Sequence, residues 1–151
     1  MAKYRLLSDV PFQIRMSYLD QNLSPGQGRL IDVGCGNGYS TALSALKGYQ
    51  SLGISYSQAD LDFAQWFTAT LKLGNASFLK GDIRYLDQLL ENQEKFKVVL
   101  CLEVIEHIIN DQKLLDDIGN LMPLGAKLIL TTPNKYCKPL YGDMISDQED
   151  G

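Results

Sequence analysis

Hydrophobic and polar positions follow one repeating rhythm along this chain: short runs of Val, Ile and Leu, separated by longer stretches in which apolar residues recur every three or four positions. The first run, Leu30 to Val33, feeds a predicted helix from about Gly38 to Lys47 that Gly48 closes. A strand near Ser51 to Ser55 precedes a helix from Gln58 to about Leu73, ended by Gly74, and then a strand near Ser77 to Lys80. A short helix around Tyr85 to Glu91 leads into the most apolar strand, Lys97 to Leu102. A helix from about Glu106 to Met122 follows, and Pro123 and Gly125 turn the chain into a strand from Lys127 to Thr132. Ahead of these, Lys3 to Leu23 reads as mostly helical, with Leu6, Leu7, Val10, Ile14 and Tyr18 at helical spacing and Pro11 kinking or dividing it. Strands joined by helices of this length imply right-handed crossovers, so the expected class is α/β, doubly wound around a mainly parallel sheet. The expected organisation is an N-terminal helical segment, residues 1–24, and one domain, residues 25–151.

Ligands bind such sheets outside the carboxyl ends of the strands, where strand order reverses. There the pattern is interrupted by RLIDVGCGNGYST, Arg29 to Thr41. Gly34, Gly36 and Gly38 allow a sharp turn, positive φ and close approach of bare backbone to a ligand at the start of a helix. A dinucleotide fingerprint starting at Gly34 needs glycine or alanine where Tyr39 stands, and a phosphate-binding loop needs a lysine that is absent from this stretch. Asp32, two residues before the first glycine, would repel a pyrophosphate and attract an ammonium or sulfonium group.

The stretch Asp32 to Gly38, D-V-G-C-G-N-G, resembles the first motif of class I S-adenosylmethionine-dependent methyltransferases, and the resemblance runs in register from Arg29 to about Tyr136. It implies a Rossmann-like methyltransferase sheet and S-adenosyl-L-methionine as cofactor. It also implies that Asp32, Gly34, Cys35, Gly36 and Gly38 meet the amino-acid end of the cofactor, the carboxylate holding its ammonium group. Asp82 and Ile83, after the third strand, match the positions that meet the adenine amino group and ring; Asp82 equally suits a helix N-cap. Ser55 stands where many members place a carboxylate for the ribose hydroxyls, so a looser ribose grip is expected; in this it resembles the cyclopropane-fatty-acid synthase and sterol methyltransferase types, which carry Thr or Ser there. Asp60 either compensates at the ribose or completes a capping box with Ser57, and Tyr56 either stacks on adenine or packs in the core.

Chemistry is expected from CLEVIEHI, Cys101 to Ile108. Glu103, Glu106 and His107 fall at i, i+3 and i+4, so on a helix beginning near Glu103 they would share a face. An imidazole with an ordinary pKa of about 6.5 suits removal of a proton from a hydroxyl or phenol during transfer. E-V-I-E-H also resembles a pattern in ubiquinone-biosynthesis O-methyltransferases and in enzymes that methylate small-RNA 3′ ends, where it is associated with a divalent metal such as Mg²⁺. Three readings stay open here: a metal site of Glu103, Glu106 and His107, a metal-free base at His107, or glutamates that favour a helix start. TTPNKY, Thr131 to Tyr136, similarly reads as either a border of the substrate pocket or a strand stop, with Tyr136 and Tyr141 lining or covering it.

Composition narrows the partners. The 14 basic and 18 acidic residues leave a net charge of −4, which disfavours a nucleic-acid substrate although Lys135 and Lys138 lie near the expected pocket. Cys35, Cys101 and Cys137 lack metal spacing and fit a reducing compartment; with no leader-like start or membrane-length apolar run, a cytoplasmic protein is expected. The family's sheet normally continues beyond a fifth strand, so the chain is expected to be C-terminally truncated, with that sheet edge uncovered. The reading is a methyltransferase acting on a small hydroxylated or phenolic acceptor. Its alternatives are a small-RNA 2′-O-methyltransferase, a nucleotide-binding oxidoreductase, and a module that binds the cofactor without transfer.

Overall fold

The computed structural model describes residues 10–134. Lys3 to Asp9 of the expected first helix, and Lys135, Tyr136, Cys137, Lys138, Tyr141 and the polar tail, lie outside the described residues.

Among the described residues five strands form one sheet, β1 (Arg29–Val33), β2 (Gln50–Ser55), β3 (Ala76–Lys80), β4 (Val98–Leu102) and β5 (Lys127–Thr131), in the order β3-β2-β1-β4-β5. All four pairings are parallel, with Asp32 beside Gly53 on one side and Leu100 on the other. The central strands β1 and β4 are almost wholly buried, as a parallel sheet covered on both faces requires. Alternation along β1 sends Ile31 and Val33 into a core with Ile54, Val99, Phe96, Leu86, Leu114 and Ile118. Leu30 enters a second core with Leu100, Ile129, Tyr49, Leu19 and Leu23. The doubly wound parallel sheet is therefore as expected.

The helices are α1 (Val10–Asn22), α2 (Tyr39–Leu46), α3 (Gln58–Thr70), α4 (Leu86–Leu89) and α5 (Asp111–Asn120). Pro11 is the second residue of the described α1, and the kink or division expected there involves residues before Val10, which lie outside the described residues. The buried Leu19 and Leu23 attach the C-terminal half of α1 to the sheet, while Val10, Ile14 and Tyr18 stay exposed. Ser57 caps α3 by accepting from Asp60 N at 3.3 Å, and Asn110 caps α5 by accepting from Lys113 N at 3.1 Å.

Two expected helices differ. Tyr85 to Glu91 is instead a 3-10 turn, Ile83–Tyr85, running into α4. The helix expected from Glu106 starts at Asp111, and Ile105–His107 forms a separate 3-10 turn. The cap at Asn110 sets the later start, since its side chain terminates the helix that the acidic spacing alone suggested.

Candidate functional site

Strand order reverses between β2-β1 and β4-β5, so the carboxyl ends of β1 and β4 open a crevice, and the glycine loop lies at that rim. Gly34, Gly36 and Gly38 all have positive φ, at 80°, 48° and 75°. Their surroundings differ. A Cβ at Gly34 would lie 2.5 Å from Val104 Cγ2, and one at Gly38 would lie 2.6 Å from Ala64 Cβ, whereas one at Gly36 would meet nothing within 4 Å. The outer glycines thus let the loop pack onto its neighbours, and the middle one presents bare backbone to open space. Cys35 N donates to Ile54 O at 2.8 Å, tying the loop to β2.

Asp32 is 1% exposed and accepts from Ser40 Oγ at 2.6 Å and Thr41 Oγ1 at 2.7 Å. Burial pushes its pKa up, and the two hydroxyls with a further bond to the Thr41 backbone pull it partly back. The carboxylate fastens the start of α2 to β1, and so holds the loop between them in shape. Ser40 and Thr41 were missed as site residues; the signal was the pair of hydroxyls directly after Gly38 and Tyr39, on the first turn of a helix that returns beside Asp32.

At the neighbouring strand ends, Ser55 Oγ accepts from Ser57 N at 3.2 Å. Asp60 completes the cap with Ser57 and stands close enough to the loop for its charge to add to burial and Asp32 in raising the Cys35 thiol. Tyr56 is 81% exposed, so of its two readings core packing is not observed. Asp82 accepts from Arg84 N at 3.0 Å, which is the expected cap, and its carboxylate is forked by the Arg84 guanidinium at 2.6 to 3.0 Å. Those bonds hold the Asp82 carboxyl below the usual range. Ile83 opens the 3-10 turn with its side chain against the core.

Glu103, Glu106 and His107 do not share a helical face. Glu103 precedes the 3-10 turn with a left-handed backbone, φ 56°, and its N–H donates to Thr131 O at 2.9 Å. Its carboxylate lies 3.8 Å from the guanidinium of Arg15 on α1. Glu106 accepts from Thr132 Oγ1 at 3.4 Å and is 3.8 Å from His107 Nε2, and its pKa is raised by burial, with the Glu103 charge adding to it. The His107 side chain is 76% exposed. Among the described residues no group of three or more His, Cys, Asp or Glu side chains is placed to hold a metal ion, so the expected metal site lacks the shared face on which it rested. Thr131 Oγ1, at the end of β5, is a buried side-chain oxygen with no hydrogen-bond partner among the described residues.

Arg15 was a third residue missed, and no local pattern marks it. Phe12, three residues earlier, places its ring 5.3 Å from that of Tyr39, which also lies 5.0 Å from Phe67 and 5.8 Å from Phe63. The N-terminal half of α1 therefore meets the glycine loop's end and the β4 rim together. An open groove at the β3 edge, lined by Gln65, Thr68, Lys72, Ser77 and Phe78, is away from this rim and gathers none of these groups.

Comparison with known proteins gives the family and the fold. Residues 26–150 match the family model described as a methyltransferase domain. The ubiquinone biosynthesis O-methyltransferase of Coxiella burnetii is 26% identical over 125 residues, covering 83% of this chain and 52% of that protein. Its counterpart from Marinobacter nauticus is 28% identical over 142 residues, covering 91% and 57%. The chain spans about half the length of these curated relatives. Among solved structures, coclaurine N-methyltransferase bound to N-methylheliamine and SAH superposes with a TM-score of 0.67 at 23% identity, over 79% of this chain and 36% of that one. The cyclase SpnF superposes at 0.66 with 22% identity, over 78% and 44%, so this fold alone does not specify methyl transfer.

Proposed function

The chain belongs to the methyltransferase domain family, and from that premise we propose that it binds S-adenosylmethionine at the glycine loop and serves methyl transfer to a hydroxyl of a small molecule. The observation that carries the reading is Gly36, where the absent Cβ leaves backbone facing open space at the rim of a parallel sheet. When bound, the cofactor supplies a methyl group activated by a sulfonium charge, so the protein need form no covalent intermediate with the acceptor. Its residues align and exclude water. Ser55 and Asp60 are assigned to the ribose, Tyr56 to the adenine face, Asp82 to the exocyclic amine and Ile83 to the ring through its backbone. Arg84 shares Asp82 in an exposed pair, which exchanges partners at little cost. Arg15 brings a cation to the same rim, complementary to the cofactor's carboxylate.

The acceptor is assigned to the ends of β4 and β5, where Glu106, His107 and Thr132 converge. A carboxylate or imidazole there can take the hydroxyl proton as the methyl group transfers. O-methylation of a small acceptor draws support from the relatives named for that activity and from the net charge of −4, which opposes a polyanionic substrate. The free, buried Cys35 and Cys101 suit a reducing, cytoplasmic setting, and burial lifts the Cys101 thiol to about 11.

The test is single-turnover transfer from methyl-labelled cofactor to a panel of phenols, amines and short RNAs, with and without chelator. Label on phenolic oxygen alone, unaffected by chelator, is the expected result. Label on RNA or amines, or none with a cofactor that binds, would overturn the acceptor assignment. His107→Gln and Glu106→Gln in the same assay identify the base: whichever lowers transfer at least about a hundredfold without weakening cofactor binding acts on the acceptor.

A further inference from the structure

An S-adenosylmethionine bound at this loop presents an ammonium group for which a carboxylate is the strongest acceptor, and Asp32 is poorly suited to be it. Its carboxylate is 1% exposed and already receives Ser40 and Thr41 on one oxygen and a backbone bond from Thr41. We propose that Glu103, not Asp32, is the carboxylate that receives the cofactor's ammonium group, exchanging Arg15 for it. The proposal rests on the reading of the glycine loop as the cofactor site.

Glu103 is beside the loop. Val104, the next residue, is the one that a Cβ at Gly34 would strike, so Glu103 borders the first glycine. From the other side, Phe12 touches Tyr39 at the loop's end, and Arg15 is one helical turn along from Phe12, about 4.5 Å of rise. The ion pair of Arg15 and Glu103 therefore joins α1 to the end of β4, each partner within three residues of one that touches the loop. Its partners are 29% and 22% exposed and 3.8 Å apart, a contact loose enough to open for a ligand of matching charge. The cofactor's amino-acid end is a zwitterion, so it can replace this pair charge for charge: ammonium to Glu103, with Arg15 left for the carboxylate. Glu103 also keeps a left-handed backbone, a conformation costly for a side chain with a Cβ, while its N–H is pinned to Thr131 O.

Calorimetric titration with S-adenosylhomocysteine and with methylthioadenosine separates the possibilities, because the second ligand lacks the amino-acid end. Glu103→Gln should weaken S-adenosylhomocysteine about tenfold and leave methylthioadenosine unchanged, since only the first loses a charge-assisted bond. Asp32→Asn should weaken both alike, because it acts through the shape of the loop. Glu103→Gly removes the carboxylate while relieving the backbone, and gives the same selective loss should the glutamine variant fold poorly. Equal binding of S-adenosylhomocysteine by the Glu103 variants and the parent, or a selective loss in Asp32→Asn instead, would overturn the assignment. A parent that binds methylthioadenosine but not S-adenosylhomocysteine would overturn it too; one that binds neither would remove the cofactor reading and this proposal with it.

Discussion

Gly34, Gly36 and Gly38 share a left-handed backbone but not a neighbourhood, and substitution should separate them. Gly36→Ala carries only the backbone cost, about 1 kcal/mol, and should fold. Gly34→Ala and Gly38→Ala add a collision with Val104 or Ala64 that costs about another 1–3 kcal/mol. Urea unfolding of the three variants should show that order, and equal losses would contradict it. The motif's glycines were legible in the sequence because each is punctuation the backbone needs. The division of labour among them depends on neighbours distant in the chain.

Asp32 makes a second test at this scale. Its folded pKa is raised above the ordinary 3.8, so the stability it contributes is fully present below that value and is lost as pH rises through the folded pKa. In Asp32→Asn this titration is gone. Between about pH 7 and about pH 4 the parent should gain stability relative to the variant, read as a rising difference in urea midpoint. A difference that is flat, or falls toward acid, would contradict the burial that shifts the group. An acidic residue before a glycine loop suggests a ligand contact in sequence; it takes the two hydroxyls of α2 to show that the carboxylate faces inward.

At the level of elements, every strand was legible and only the ends moved, because β1 to β5 are short apolar runs bounded by glycine, proline or polar residues. The segment after β4 was not. E-V-I-E-H has helical spacing, but Asn110 caps a helix that starts beyond it, and the positive φ of Glu103 with its bond to Thr131 O turns the chain first. That is a tertiary choice with no local signature. The first helix likewise could be read as amphipathic, yet its attachment through Leu19 and Leu23 and the pairing of Arg15 depend on where the sheet lies. Leu19→Ala should cost about 2–5 kcal/mol by opening a cavity under α1, whereas Ile14→Ala, 63% exposed in the parent, should cost little. Thermal melts compare the two. Ser57→Ala, which removes the cap of α3, should cost about 1 kcal/mol in the same assay.

For the whole molecule, strand and helix alternation was enough to give the doubly wound sheet, since right-handed crossovers leave few alternatives. The crevice follows from the order β3-β2-β1-β4-β5, and it coincides with the loop that breaks the hydrophobic rhythm. Among the described residues no helix is long and apolar enough to cross a membrane, and β3 and β5 are the edges of the described sheet. What unites fold and chemistry is the claim that the glycine loop holds S-adenosylmethionine. Calorimetric titration of the parent and of Gly36→Val with S-adenosylmethionine, and of the parent with NAD, tests it most directly. One saturable site for S-adenosylmethionine, no heat with NAD, and loss of binding in a folded Gly36→Val are the results the account predicts; NAD binding in its place, or a valine variant that binds S-adenosylmethionine like the parent, would contradict it.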